Sequence, residues 1–344
     1  MHLNFRKTAK VSLVLVYLVI AAGAIVRMTG SGMGCPDWPK CFGYYIPPTE
    51  AIELQWQSGK AYKKGQVIIV DESLQVAKED FNTGSTYSEA NWEPYTKHEY
   101  ALFNPWHTWI EFINRLLGAL AGLATLIMAI ASFRFWRKKK VVTIVSVLTV
   151  LAMGFQAWLG ATVVYSVLEP VKITIHMVMA LIIVAMLLYL IYRTKDRSAT
   201  FKYDKPLVVF VVLAAIITLT QIILGTQVRQ FVDHQIDMVG DTAKNLWLQN
   251  PSISFYIHRS YSILVVLLNI YLGVRIYRKG LGYSKINWIL AIIFLEVVSG
   301  MLMYYLDFPF ATQPIHLILA SLLFGTQFYL VLEVLNVKKS PKTS

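Results

Sequence analysis

AKVSLVLVYLVIAAGAIVRM, residues 9–28, is apolar except for one charged residue near each end. About 20 apolar residues in a helix cross the hydrocarbon layer of a membrane. The whole chain of 344 residues has a similar character, with 56% hydrophobic residues and a mean hydropathy of +0.51. We therefore predict an integral membrane protein. Because the run leads into a structured-looking polar segment, we expect it to remain as the first span.

Seven further apolar runs follow, separated by polar or charged connections. The eight predicted spans are residues 9–28, 105–133, 141–163, 171–192, 206–228, 252–274, 286–305 and 314–335. The predicted fold class is therefore an all-α integral membrane protein with eight transmembrane helices. An even number of spans places both chain ends on the same side of the membrane.

Lys and Arg are concentrated in alternate connections. The basic segments are the N-terminus and residues 134–140, 193–205, 278–285 and 338–342. Short connections that are rich in Lys and Arg stay in the cytoplasm during insertion. We therefore predict that both termini are cytoplasmic. The net charge of +12 then reflects membrane orientation and needs no nucleic acid partner.

The longest connection, residues 29–104, is predicted to lie outside and to cap that face of the protein. Within it, YKKGQVIIVDESLQ (62–75) indicates a small hairpin or helix. Cys35 and Cys41 lie near its start, in an oxidising compartment if the host is bacterial. A disulfide is the default interpretation, and a redox-active pair is the alternative. Their spacing does not discriminate between the two.

The first four spans resemble the last four. The matches, in order, are Gly23 and Arg27 with Gly225 and Arg229, Asn114-Arg115 with His258-Arg259, Gln156 and Gly160 with Glu296 and Gly300, and His176 with His316. Each half starts on the same side, so an axis along the membrane normal should relate the two. We predict two four-helix bundles, residues 1–192 and 193–344.

Histidines near the outward ends of the spans indicate a cofactor site. His258 and His316 lie on different helices of one predicted bundle, an arrangement that suits a haem with two histidine ligands. The alternative for a single intramembrane histidine is a hydrogen-bonded packing residue. The sequence has no C-x-x-C-H motif, which excludes covalent c-type attachment.

Three motifs resemble those of the haem A synthase family. They are GAIVRMTGSGMGCPDWPKCFG (23–43) after the first span, IEFINR (110–115) on the second, and HR (258–259) on the sixth. His176 and His316 also stand where the family has histidines on spans four and eight. Apart from the polar insertion at about 50–100, the resemblance runs along most of the chain.

The resemblance implies an inner-membrane oxidoreductase of a bacterium, with its haem sites towards the outer side. Such an enzyme oxidises the C8 methyl group of haem O to a formyl group, through a hydroxymethyl intermediate, for haem-copper oxidase assembly. It implies haem b between His258 and His316, substrate haem in the N-terminal bundle at His176, and a disulfide between Cys35 and Cys41. The implied partners are a haem O synthase and a quinone or other electron acceptor, and a homo-oligomer is left open.

Glu111 matches the carboxylate expected to be catalytic in this family. It shares a helical face with Asn114, three residues on, and could accept protons near a haem edge. The alternative is that Glu111 only pairs with Arg115, four residues on. Guanidinium groups bind carboxylates such as haem propionates well. The other predicted binding residues are therefore arginines: Arg27 and Arg115 at the substrate haem, and Arg229 and Arg259 at the haem b. Arginines there could also anchor helix ends.

One position departs from the family pattern, because Asn114 stands where the family has a histidine. The substrate iron would then have His176 as its only histidine ligand. His107 lies about 10 Å earlier along the helix, so it cannot occupy the same place without a local break, and it could instead cap the pocket or bond to the loop. Two alternatives of other classes follow: a haem b protein that only transfers electrons, and a haem-delivery subunit without synthase activity. The presence of Glu111 and His176 favours the synthase.

Overall fold

The computed structural model describes residues 4–195 and 201–337, and eight long helices dominate these residues. They are α1 (Phe5–Met28), α2 (Pro105–Ser132), α3 (Lys140–Tyr165), α4 (Pro170–Arg193), α5 (Lys205–Val239), α6 (Ile253–Arg278), α7 (Lys285–Tyr305) and α8 (Thr312–Leu335). All eight are long and apolar enough to cross a membrane, as predicted. The basic tail at 338–342 and part of the basic segment 193–205 lie outside the described residues.

Polar caps fix where several helices begin. The side chain of Asn104 accepts hydrogen bonds from the backbone N–H groups of Trp106 and His107, and Pro105 occupies the first turn of α2. Asp204 caps α5 in the same way and also pairs with Arg275. The hydrogen bond from Arg275 is the main reason why the pKa of Asp204 lies far below its usual value.

Helix α5 is longer than the sequence indicated. The predicted span ends at 228, whereas the helix continues to Val239. Charged residues such as Asp233 end the apolar run, but they do not end the helix, because helical geometry tolerates charge once the chain leaves the hydrocarbon layer. The extension is held by the packing of Val232 with Trp247 and Phe308.

Helices α1–α4 and α5–α8 form two bundles with largely separate apolar cores. Between the bundles, α4 packs on α8, α1 packs on α8, and α5 packs on α4. The repeat relates α1 to α5 and α4 to α8, so the last two contacts are equivalent. This is the pattern of a two-fold interface, in which one surface meets its own counterpart. The division at residues 192 and 193 remains a prediction.

Two short turns have the same unusual backbone in both bundles. Val167 and Leu168, between α3 and α4, have positive φ angles, and so do Asp307 and Phe308, between α7 and α8. Positive φ is rare outside glycine, and rarer still for a β-branched residue such as valine. The repeat therefore extends to backbone conformations that residue identity does not indicate.

The connection 29–104, named here the cap, is a small folded unit. Its strands are β1 (Ala61–Tyr62), β2 (Val67–Val70), β3 (Ser73–Ala77), β4 (Phe81–Asn82) and β5 (Trp92–Pro94). Strands β2, β3 and β5 form one antiparallel sheet, and β1 pairs with β4. The hairpin alternative is thus confirmed for 62–75, where Asp71 and Glu72 turn with positive φ between β2 and β3.

Gly325 on α8 allows the two bundles to approach closely. A Cβ atom at this position would collide with the hydroxyl of Tyr17 on α1. We expect Gly325→Ala to destabilise the protein by about 1–3 kcal/mol, the usual cost of overpacking. Thermal unfolding in detergent would measure the loss.

The double variant Tyr17→Phe/Gly325→Ala is the matched control, because it removes the hydroxyl that the new methyl group meets. Tyr17→Phe alone loses only a long hydrogen bond, 3.5 Å, to the Ser321 carbonyl. We expect the double variant to recover most of the stability. An equal loss in both alanine variants would show that the collision is not the cause.

Candidate functional site

The imidazole rings of His258 on α6 and His316 on α8 face each other in the second bundle. Their centroids are 6.4 Å apart and their planes are inclined by 71°. An imidazole nitrogen binds a transition metal such as zinc at about 2.0–2.1 Å, so two rings on opposite sides of one ion have centroids roughly 6 Å apart. The spacing therefore suits one metal ion between the rings.

The hydrogen bonds of His316 identify which of its nitrogens is free. Its Nδ1 lies 2.8 Å from a carboxylate oxygen of Glu296 and 2.8 Å from the hydroxyl of Ser299. An ionised carboxylate can only accept, so Nδ1 carries the proton and donates it. In the neutral imidazole, Nε2 is then unprotonated and is the nitrogen available to a metal.

His258 lies against α5. The Gln221 side chain donates to its backbone carbonyl at 3.0 Å, and a Cβ atom on Gly225 would lie 3.1 Å from its ring. Glycine at this position therefore leaves room for the imidazole. The Nδ1 of His258 is buried and has no hydrogen-bond partner among the described residues.

One structural element recurs around these sites: a polar residue and, four positions later, a glycine that faces a histidine on the next helix. Gln221 and Gly225 face His258, Glu296 and Gly300 face His316, and Gln156 and Gly160 face His176. Gln156 donates to the His176 carbonyl at 3.0 Å, as Gln221 does to His258. The element is a repeated histidine cradle.

The fourth copy of the cradle has changed. Gly23 on α1 faces Asn114 rather than a histidine, and Val19 stands where the other copies have a polar residue. The side-chain oxygen of Asn114 is buried without a hydrogen-bond partner among the described residues. The first bundle therefore offers one imidazole and one amide, whereas the second offers two imidazoles.

These residues fit haem. The second bundle has the ring spacing for one iron, and both bundles have buried polar atoms that lack partners within the described chain, including Nδ1 of His176 and Nδ1 of His258. Native proteins leave few such atoms unpaired, and those that remain unpaired frequently mark a functional site. The glycines keep the space beside each imidazole open.

Glu111 is buried where α2 meets the cap. One carboxylate oxygen accepts the backbone N–H of Cys35 at 2.9 Å, and the other accepts two hydrogen bonds from Arg115, at 2.5 and 3.1 Å. The pairing with Arg115 that the sequence allowed is thus present. Glu111 also holds the start of the disulfide loop.

Arg115 uses all five of its N–H donors within the protein. Besides Glu111, it donates to the backbone carbonyls of Cys35, Asp37 and Lys40, at 2.6–2.9 Å. A guanidinium has five N–H groups, so none is left for a haem carboxylate in this arrangement. The geometry assigns Arg115 to clamping the cap, and its predicted role at the substrate haem gains no support here.

The loop clamped by Arg115 is closed by a disulfide between Cys35 and Cys41, so the default interpretation is confirmed. Inside the loop, the Asp37 carboxylate accepts the backbone N–H groups of Phe42 and Gly43. Burial raises the pKa of Asp37, although these hydrogen bonds and the charge of Arg115 act in the opposite direction. The loop therefore presents a fixed backbone surface to α2.

Arg27 and Arg229 meet at the boundary between the bundles, at the cap end of the helices. Each places its Nη2 2.7 Å from the carboxylate of Asp233, and Arg229 also donates to the Arg27 carbonyl at 3.0 Å. Two cations share one carboxylate, so the cluster has one net positive charge. Nη1 of Arg229 is buried without a partner among the described residues.

Arg259, a predicted binding residue, and His107 lie at the periphery. Arg259 is exposed and stacks over the ring of Tyr304, 5.8 Å from its centroid. The backbone of His107 lies under the disulfide loop, where a side chain on Gly34 would collide with its carbonyl. Neither contact touches the paired imidazoles.

Sequence reasoning missed three contributors to these sites: Gln221, Ser299 and Asp233. Gln221 could have been found, since it precedes Gly225 by the same four residues as Gln156 precedes Gly160. Asp233 was missed because the predicted fifth span ended too early, which hid its helical spacing of four from Arg229. Nothing in the sequence pattern singles out Ser299.

Comparison with known proteins gives a consistent result. A sequence model of the family described as cytochrome oxidase assembly protein matches residues 6–328. Proteins named haem A synthase are similar over nearly the full length: that of Rickettsia prowazekii is 23% identical, covering 91% of this chain and 92% of the relative, and that of Wolbachia pipientis is 22% identical, covering 95% and 92%. A haem A synthase of Shewanella oneidensis is 26% identical over 55% of this chain and 45% of the relative.

Proposed function

The chain belongs to the haem A synthase family of cytochrome oxidase assembly proteins, and on that premise we propose that this multi-pass membrane protein takes part in haem A biosynthesis as the enzyme that oxidises haem O. The C8 methyl group would become first a hydroxymethyl and then a formyl group. The observation that carries the proposal is the difference between the two bundles, one with paired imidazoles and one with a single imidazole beside Asn114.

That difference suits a division of roles. Two histidine ligands hold a haem iron firmly, which is appropriate for a resident cofactor. His258 and His316 would hold haem b, and this group would supply one-electron transfer when bound. His176 alone would bind haem O in the first bundle. A substrate must leave after reaction, so a weaker ligand set at that site supports turnover.

Glu111 is the proposed catalytic residue. Its carboxylate lies one helical turn from Asn114, on the same side of α2, and its charge is held by Arg115 and the Cys35 amide. As the methyl group is oxidised it must release protons, and a fixed carboxylate can accept them. Arg115 and the disulfide loop would keep this carboxylate in place.

Arg27 and Arg229 are proposed to bind haem propionates, Arg27 from the substrate side and Arg229 from the cofactor side. Their cluster with Asp233 keeps one net positive charge and a free donor on Arg229. Arginine pairs well with carboxylates. Arg259, near Tyr304, would contribute charge at the rim of the cofactor site. Electrons would pass to a quinone or a small redox protein.

The proposal also covers the membrane in which the protein lies and the source of its substrate. The basic segments predict cytoplasmic termini in a bacterial inner membrane, with both sites towards the outer side. A haem O synthase would supply the substrate.

Expression in a bacterium that makes haem O but no haem A tests the activity, with extracted haems separated by chromatography and identified by mass. Haem A or its hydroxymethyl precursor should appear only with this chain, and unchanged haem O with confirmed expression would refute the activity.

A second candidate is a haem b protein that transfers electrons or delivers haem without oxidising haem O. Asn114 and Val19 in the altered cradle favour it, because that site has lost a ligand. In this case purified protein would contain haem b alone. The expression experiment therefore separates the two candidates.

Asn114→His tests the single-histidine site directly. A second imidazole opposite His176 should hold substrate haem more tightly, so we expect more haem O to remain with the purified variant and turnover to slow. Spectra and extracted haems would measure both effects. Asn114→Ala is the matched control and should not increase retention. Equal haem retention in the histidine variant and the original protein would show that residue 114 does not face the iron.

A further inference from the structure

Glu296 differs from its counterparts in the repeated histidine cradles. In the other two polar copies, Gln156 and Gln221 donate to the backbone carbonyl of the facing histidine. Glu296 instead bonds to the imidazole itself, with a carboxylate oxygen 2.8 Å from Nδ1 of His316, whereas Gln221 approaches the His258 ring only at 3.5 Å, from its amide nitrogen to Nε2. It is also the one copy that is an acid.

The contact changes the chemistry of His316 as a ligand. A carboxylate that accepts the Nδ1 proton increases electron density on the ring and makes Nε2 a stronger donor to a metal. The other oxygen of Glu296 is buried and has no hydrogen-bond partner among the described residues, so no described group competes with His316 for this side chain. A more strongly donating imidazole stabilises ferric iron more than ferrous iron.

We infer that Glu296 is a positioning residue that lowers the redox potential of an iron held by His258 and His316. The inference rests on the proposed haem b site and deepens it. Hydrogen bonding to an axial ligand is one of the established means by which a protein adjusts haem potential. A lowered potential favours passage of the electron from this iron to the external acceptor.

Glu296→Gln is the matching substitution, since it converts this cradle to the glutamine found in the other two. Redox titration of the haem b spectrum in the purified full chain gives the midpoint potential. We expect the ratio of ferric to ferrous haem at a fixed potential to fall tenfold or more. A tenfold fall corresponds to a rise of about 59 mV in the midpoint potential of a one-electron couple. Haem content should remain, because both histidines are intact and the glutamine oxygen can still accept the Nδ1 proton of His316.

Glu333→Gln controls for loss of a buried acid in the same bundle. Glu333 lies on α8, about 25 Å from His316 along the helix, and pairs with Lys285. This variant should leave the potential unchanged. An equal rise in both variants, or no rise in Glu296→Gln with haem retained, would overturn the inference.

Two further variants keep the test decisive. Ser299→Ala removes the second acceptor at Nδ1 and leaves Glu296, so the potential should not rise. If Glu296→Gln retains no haem, Glu296→Asp is used instead. Its shorter side chain draws the carboxylate back from Nδ1, so we expect a smaller rise in the midpoint potential. An unchanged potential in this variant counts against the inference. Failure of the haem site itself is recognised separately, because His258→Ala and His316→Ala would then leave the bound haem unaltered.

Discussion

His258→Ala and His316→Ala are each expected to remove most of the haem b from the purified protein. Loss of an outer hydrogen-bonding partner of a metal ligand already costs about 10–100-fold in affinity, so loss of the ligand itself should cost at least as much. The pyridine haemochrome assay measures haem per chain. We expect haem content to fall at least about tenfold in either variant.

His234→Ala is the matched control, because His234 is exposed on the extension of α5 and faces neither imidazole. It should keep its full haem content. The two site variants also differ from each other, since removal of His316 leaves Glu296 buried without its partner, so this variant should be the less stable one. Full haem content in both site variants would refute the ligand assignment.

Glu111→Gln is expected to reduce haem A formation by roughly 100-fold or more, the usual range for loss of a general acid or base. Glutamine keeps an oxygen that accepts the Cys35 amide but cannot act as a base. The bound haem b should be unaffected, because its proposed site lies in the other bundle. Haem extracted from cells that express the variant gives the result.

Anchoring of the cap is the competing explanation for any effect at Glu111. Thr108→Val separates the two, because it removes the 2.7 Å hydrogen bond from Thr108 to the Gly34 carbonyl and leaves the carboxylate intact. We expect Thr108→Val to retain most haem A formation. If it loses as much as Glu111→Gln, the role of Glu111 is to hold the cap.

Much of the fold follows from hydropathy alone. Runs of apolar residues between basic connections predicted eight spans, and the structure has eight such helices. Helix α5 shows the limit of this reasoning. Hydropathy reports where a chain leaves lipid, whereas its helix ends only where hydrogen bonding and packing stop, as the contact of Val232 with Trp247 shows.

The candidate site was predictable where ligand residues repeat. His258 and His316 came from the internal symmetry, and the structure places their rings together. The hydrogen bonds around Glu111 were only partly predictable. Its contact with Arg115 follows from helical spacing, but its contact with Cys35 joins residues 76 positions apart, and no local pattern encodes that approach.

The interface between the bundles fits an origin by fusion of two genes for four-helix chains. Between the bundles, α4 contacts α8, α1 contacts α8, and α5 contacts α4. A symmetric homodimer of four-helix chains would form the same set of contacts. Fusion of two such genes would preserve the turn conformations at 167–168 and 307–308 while their residues diverged. In such a homodimer each cradle would have an identical counterpart, so Asn114 opposite His258 in the repeat, and Glu296 opposite Gln156, are the positions where the two halves now differ.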